Sequence, residues 1–321
     1  MELFDRSRLE IKPLSERKSK TDLSSLINPC SSPPEISQGD CSKLEEIAYL
    51  VKESKNRKAP IIFSFGAHLI KNGLSKIVIE LTKKGYVSHI LGNGAVSIHD
   101  WEFSFQGKTE EDVKEYLQEG QFGLWEETGR YINQAIVRYQ NLGYGCAVGK
   151  LISEEKLGEG QVIHKHKNIS LLGNAFSLGI PVSICPQIGC DIIHTHPKCD
   201  GAAIGKAAYI DFLKFANTIS NLEGGVYISV GSAITSPMIF EKALSMAKNI
   251  ARQENRVLEN YDIVVNDIQE GTWDWSKGEP AKDNPAYYLR FMKTFSRAGG
   301  NCQYIKMDNR AFLHNLYYLL K

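Results

Sequence analysis

Long apolar runs are missing from this sequence of 321 residues. No stretch approaches the roughly 20 consecutive apolar residues that a membrane helix needs, so no helical span is predicted. The first residues, MELFDRSRLEIKPL, mix acids and bases and lack the apolar centre of a signal peptide. An excess of one charge is missing too: 38 Lys and Arg face 37 Asp and Glu, a formal net charge of +1. That balance predicts neither a nucleic-acid partner nor an acidic one. Cysteine is sparse and odd in number, seven residues without a repeating framework. Free thiols in a reducing, cytoplasmic compartment are the expectation. Internal repeats are absent from 42–321, and so is the GxGxxG turn of ordinary dinucleotide-binding proteins.

What is present is an alternation. Residues 1–41, rich in Ser, Lys and Pro with no sustained apolar period, read as an N-terminal arm that is extended and partly disordered. From residue 42 to 321 one domain is expected, opening on the amphipathic helix SKLEEIAYLVKES. Short apolar, β-branched runs follow: APIIFSF, YVSHILG, PVSIC, GGVYISVG, YDIVVND and NCQYIKMD. Helical segments separate them, including one read over residues 109–141 with Thr109 and Asp112 as its capping box. Strands alternating with helices predict an α/β fold, a Rossmann-like parallel sheet flanked by helices. Ligands of such sheets bind beyond the carboxyl ends of the strands.

Those strand ends carry small and polar residues. Ser64, Gly66 and Ala67 end the first run and open a helix, where backbone N–H groups can meet a phosphate. Asn93, Gly94 and Ala95 end the second. Asp200 and Gly201, Gly231 and Ser232, Asn266 and Asp267, and Asp308 and Asn309 follow later strands. Together they outline a cofactor crevice, with an Asp at a strand end suited to ribose hydroxyls.

Other residues carry chemistry. His99 stands beside Asp100 and near Glu102, titratable groups just past a strand, and His is the natural acid or base near neutral pH. The segment from Cys185 to Gly201 holds Asp191, His194, His196 and Cys199. It reads as a substrate and cofactor loop. The alternative is a metal site built from His194, His196 and Cys199. Lys293 lies in an aromatic stretch with Trp273, Trp275, Tyr287, Tyr288 and Phe291. Such a stretch is either an ordinary packing segment or a setting that desolvates the amine and lowers its pKa, as imine formation requires.

The order of these motifs resembles deoxyhypusine synthase over residues 60 to 315. APIIFSFGAHLIKNGLSKIVIELTKKGYVSHILGNGA is similar to that family's first strand, helix and second strand, and CDGAAIGKAAYIDF to its Asp-Gly segment. GGVYISVGSAITSPMIFEKAL is similar to its Gly-rich turn, and YDIVVNDIQE and YIKMDNRAFLHNL to its last two strand ends. The resemblance implies a deoxyhypusine synthase-like fold, bound NAD, a homotetramer with sites between subunits, and an N-terminal segment able to cover a neighbour's site. It also implies that Lys293 forms an imine. The family's essential His falls near Ser236-Pro237, and its acidic residue before the Lys near Tyr287. These departures argue against deoxyhypusine synthesis itself. GNGAVSIHDWE is similar to a segment of archaeal-type ornithine cyclodeaminases, which are NAD-linked. HTHPKCDGAAIGKAAY with EGQFGLWEETG resembles a bacterial branch of deoxyhypusine synthase-like proteins.

The expectation is therefore an NAD-dependent enzyme acting on an amine or amino acid by imine-forming oxidation, transfer or deamination. Lys293, His99, His194 and His196 are its catalytic candidates, and Asp100, Glu102 and Asp191 would hold the substrate nitrogen. The alternatives are a metal-dependent hydrolase or lyase at the His194–Cys199 loop and a non-catalytic NAD-binding protein.

Overall fold

The computed structural model describes residues 2–271 and 273–321. Its centre is a six-stranded, wholly parallel sheet. The strands are β1 (Ile61–Phe65), β2 (His89–Asn93), β3 (Val182–Cys185), β4 (Val226–Val230), β5 (Asp262–Asp267) and β6 (Asn301–Lys306). Their order across the sheet is β3-β2-β1-β4-β5-β6. This is the Rossmann order, in which the winding reverses between β1 and β4 and leaves a crevice beyond their carboxyl ends.

The inner strands are buried on both faces, which is why they read as unbroken apolar runs. In β1 all five residues are buried. Ile61, Phe63 and Phe65 point into one core and Ile62 into the other, as the two-residue period of a strand requires. The larger core is roofed by α1 (Gln38–Asn56), α2 (Ser75–Lys83), α3 (Gly94–Gln106), α4 (Glu126–Tyr139), α5 (Tyr144–Glu154), α6 (Leu171–Ser177) and, at the chain's end, Asn309–Leu320. The smaller core lies under α7 (Gly201–Ile219), α8 (Thr235–Gln253) and α9 (Arg290–Ser296). Helix α7 joins the two: Ile204 and Ala207 pack in the first core, Phe215 and Ile219 in the second. No helix among the described residues is long and apolar enough to cross a membrane.

Two local arrangements differ from expectation and shape the site. The segment before α1 lies along the domain. Leu14 is buried in the larger core, and Ser19–Asp22 pairs antiparallel with Lys108–Glu111, Thr21 opposite Thr109. Its anchors are single residues separated by polar ones, so no apolar period announces it. The second concerns Thr109, which is not a helix cap. It sits in that ribbon, and Asp112 caps the helix Val113–Gln118 by accepting from the Glu115 N–H at 3.0 Å.

Candidate functional site

Helix α3 builds the core of the site. Asn93 caps its start by accepting from the Val96 N–H, and Gly107, at φ +74°, ends it. The HDWE sequence therefore lies on a helix, and residues one apart face different ways while residues three apart share a face. His99 and Glu102 turn toward a cavity of about 230 Å³. Asp100 turns inward. Its carboxylate accepts from Ser170 Oγ at 2.5 Å and from the Leu171 and Leu172 N–H groups at 2.6 and 3.1 Å, holding the start of α6. Asp100, expected to hold substrate, thus faces the start of α6 and does not line the cavity.

The cavity also receives residues from distant parts of the chain. Arg17 reaches in from the N-terminal segment, Lys71 from the short helix after β1, Glu110 and Glu111 from the ribbon, and Asp191 from the loop after β3. Arg17 grips Glu102 with two hydrogen bonds of 2.8 and 2.7 Å, both side chains being 1% exposed. Thr128 Oγ1 and Thr109 Oγ1 donate to the same carboxylate at 2.8 and 2.6 Å. Burial alone would raise the Glu102 carboxyl, but the charge and hydrogen bonds of Arg17 hold it below the ordinary range. Lys71 pairs with Glu110 at 3.0 Å. His99 Nδ1 lies 2.7 Å from Thr109 Oγ1, and burial, opposed by the charge of Glu102, lowers its pKa to about 4.

Two carboxylates in the cavity wall have no hydrogen-bonded cation among the described residues, although the charge of Arg17 also acts on Glu111. Among the described residues the Asp191 carboxylate accepts only the Gln187 N–H, at 3.1 Å, and burial pushes it up to about 6. Glu111 accepts from Trp125 Nε1 at 2.8 Å and is also raised by burial. Four carboxylates against Arg17 and Lys71 leave the cavity with a negative balance. Its volume matches about eight water-sized groups at ~30 Å³ each. That suits a small ligand bearing a positive charge.

The cofactor residues predicted at the strand ends divide into two sets. Several spend their side chains within the fold. Ser64 bonds to the buried Tyr227 hydroxyl. Asp200 and Asp308 cap α7 and the last helix. Asn266 Nδ2 donates to the Ile305 and Met307 carbonyls, and Asn309 Oδ1 accepts from Asn72. Asn93, as noted, caps α3. Their contribution to a ligand is through the helix N-termini they organise at the sheet's carboxyl edge. The second set leaves backbone open. A Cβ on Gly231, at φ +57°, or on Gly201 would meet nothing within 4 Å. Gly66 and Ala67 stand across from Gly231 at the reversal point, and Ser232 Oγ accepts from the Ser236 N–H at 3.2 Å. Asp267 accepts from the Gln269 N–H at 3.1 Å. Gly66 packs its backbone against the Gly231 carbonyl, and the open side of Gly231 fits the close approach that a dinucleotide backbone makes. Gly94 is different: its Cβ position is filled by the Asp191 carboxylate, which seals α3 against the loop. Ala95 lines the cavity beside it.

The predicted histidine loop does not gather a metal site. His196 is buried with Nε2 3.0 Å from Glu126 and Nδ1 accepting from the Lys198 N–H. His194 Nδ1 accepts from the Gly189 N–H at 3.3 Å. Cys199 gives its carbonyl to Arg6, which also binds the carbonyls of His194 and His196. No group of three His, Cys, Asp or Glu among the described residues is placed to hold a metal. Lys293 lines a separate cavity of about 630 Å³ with Ile234, Phe291 and Arg297. Desolvation pulls its pKa down, but Glu279 at 2.8 Å and Tyr287 outweigh that and raise it. Lys293 is held as an ammonium, the reverse of the state expected for imine formation.

Sequence reasoning did not find Arg17, Lys71, Glu110 or Glu111, and it misassigned Thr109. Their signal lies in pairings across the chain, which no local window contains.

No protein-family model matches this chain, and no curated protein matches it. Solved structures share its fold. A conserved LOR/SDH protein from Methanococcus maripaludis S2 is 16% identical with a TM-score of 0.52, over 90% of this chain and 73% of its own. Unliganded AgrE is 15% identical with a TM-score of 0.53, over 89% of this chain and 33% of its own. AgrE in a ternary complex with ornithine and NAD+ is 14% identical with a TM-score of 0.51, over 89% of this chain and 34% of its own. The chain thus spans about a third of the length of AgrE. At these identities the likeness establishes the Rossmann-like fold.

Proposed function

We propose that this chain is an NAD-dependent enzyme acting on a small amine or amino acid with a cationic nitrogen. The observation that carries the reading is the cavity beyond β1 and β2, where Asp191 and Glu111 have no hydrogen-bonded cation among the described residues and stand beside His99. A substrate ammonium would supply the missing positive charge and form charge-assisted hydrogen bonds with them. The fold shared with AgrE, whose ternary complex holds ornithine and NAD+, supports a dinucleotide across the neighbouring crevice.

Gly66, Ala67, Gly231 and Ser232 would hold the cofactor through exposed backbone, with Asp267 toward its ribose. When bound, NAD supplies a hydride acceptor. His99 takes a proton from the substrate, Glu102 holds the imidazolium charge through Thr109, and Arg17 keeps Glu102 ionised. Lys293 and Arg297 give the second cavity its positive charge. The proton work belongs to His99, while His194 and His196 fix the loop that carries Asp191.

The test is calorimetry of the purified chain with NAD, then with NAD plus a panel of basic amino acids and diamines. Expected are NAD binding and a substrate-dependent rise in reduced cofactor. Absence of any NAD binding overturns the proposal.

A further inference from the structure

Thr109 Oγ1 stands between two groups, 2.6 Å from Glu102 Oε2 and 2.7 Å from His99 Nδ1. A hydroxyl has one proton to donate. Glu102 is ionised and receives hydrogen bonds from both Arg17 nitrogens and from Thr128. A carboxylate without a proton only accepts, so the Thr109 proton must go to Glu102. Thr109 is then an acceptor toward His99, and Nδ1 must carry the ring's hydrogen. A neutral imidazole has one N–H. Nε2 is therefore bare, it has no hydrogen-bond partner among the described residues, and the His99 side chain lines the cavity.

We propose that Thr109 is a positioning residue that fixes the His99 proton on Nδ1 and leaves Nε2 as an unprotonated base in the cavity. The base role rests on the function proposed above, but the placement of the proton does not. In the reacting site the proton would pass from the substrate to Nε2, and the ring would become a cation donating from both nitrogens. The Thr109 contact needs no rearrangement for this. The hydroxyl already points its oxygen at the ring and its proton at Glu102, so the new positive charge meets a preset dipole backed by a buried anion. The other charges facing His99 are Glu110, which favours the imidazolium, and Lys71 and Arg17, which oppose it.

The ribbon explains how Thr109 is held. Thr109 is 0% exposed and registers opposite Thr21 of the N-terminal segment. The same segment delivers Arg17 to Glu102. One stretch of chain thus supplies both the strand that holds the relay and the cation that keeps its far end charged.

Long-range 1H–15N correlation spectra of the full chain, labelled in histidine, read the tautomer directly. His99→Gln assigns its signals. The expected wild-type result is a protonated Nδ1 and an unprotonated Nε2 near neutral pH. Thr109→Val should redistribute the proton toward Nε2, and Thr109→Ser should restore the wild-type pattern. The signals of His89, whose two nitrogens bond Thr218 and Ser183 in the core, report whether each variant is folded. A wild-type His99 protonated on Nε2, or a folded Thr109→Val that keeps Nδ1 protonated, overturns the proposal. If Thr109→Val fails to fold, the wild-type tautomer and the Thr109→Ser spectrum decide. Where turnover is measured, Thr109→Val should lower kcat at least about tenfold and move the acid limb of kcat/KM to lower pH. A chain with Nδ1-protonated His99 but no NAD binding would sink the enzymatic reading and leave the placement of the proton standing.

Discussion

Gly66 and Gly231 meet where the sheet reverses: a Cβ added to Gly66 would lie 2.7 Å from the carbonyl oxygen of Gly231. The contact is backbone against side chain, so no flexible group can yield. The two turns that frame the crevice are brought together because residue 66 has no side chain.

Gly66→Ala is therefore expected to push these turns apart. Overpacking of this kind costs about 1–3 kcal/mol, read as a shift in the urea midpoint, and NAD affinity should fall with it. Gly201→Ala is the matched control. Its added Cβ meets nothing within 4 Å and its position is helical, so stability should hold or rise slightly. Equal effects from both substitutions would contradict the crowding at Gly66.

Arg17 and Glu102 give the second prediction. Removing one partner of a buried pair strands the other charge, at a cost of about 3–5 kcal/mol. Arg17→Ala should lose about that much in denaturant unfolding and loosen the N-terminal segment, seen as faster proteolytic cleavage before α1. Replacing both residues, Arg17→Met with Glu102→Leu, should recover part of the loss, because no charge is then left buried. Full stability in the Arg17→Ala variant would show that the segment does not dock as described.

Much of the fold was legible in the sequence, because strands such as β1 and β4 are covered on both faces and stand out as apolar runs between helices. The site was legible only in part. Residue types near strand ends single out His99, Glu102 and Asp191, and all three line one cavity. Asp100 reads as one of them because neighbours in sequence look like neighbours in space. The helix separates them by roughly 100° per residue, sending Asp100 to α6. Arg17 sat unnoticed in a polar stretch because its partner lies 85 residues away. Thr109 had the spacing of a capping box, and its strand partner Thr21 lies equally far from any local window. The aromatic neighbours of Lys293 suggest a desolvated amine, but the deciding contact is the ion pair with Glu279.

Asp211 sets a pH dependence of stability. Its Oδ2 accepts from the Gly145 and Ile184 N–H groups, while Oδ1 is buried with no hydrogen-bond partner among the described residues. Burial pushes its pKa up to about 7 from an ordinary 3.8. Between those values the folded chain holds a proton that the unfolded chain has released. The contribution is present in full below about pH 4 and is lost as pH rises through about 7. The slope from this one group is at most about 1.4 kcal/mol per pH unit. Asp211→Asn should flatten the upper part of the decline, between about pH 6 and 7, leaving the part due to Asp100 and Asp191. An unchanged profile in urea midpoints from pH 5 to 8 would remove Asp211 from the account.

Asp191 carries the corresponding prediction for ligand binding. With a pKa raised to about 6 by burial, it is ionised at pH 7 and neutral at pH 5. A cationic ligand binds the ionised form, so its affinity should weaken as pH falls through about 6, with protons released on binding in that range. Glu111, also raised by burial, acts in the same direction. Asp191→Asn should bind a diamine or basic amino acid more weakly at pH 7 and lose most of the dependence between pH 5 and 7. Calorimetry in two buffers of different ionisation enthalpy measures the released protons directly. If affinity instead strengthens toward acid pH, the cavity binds an anion through Arg17 and Lys71, and the cationic substrate class fails.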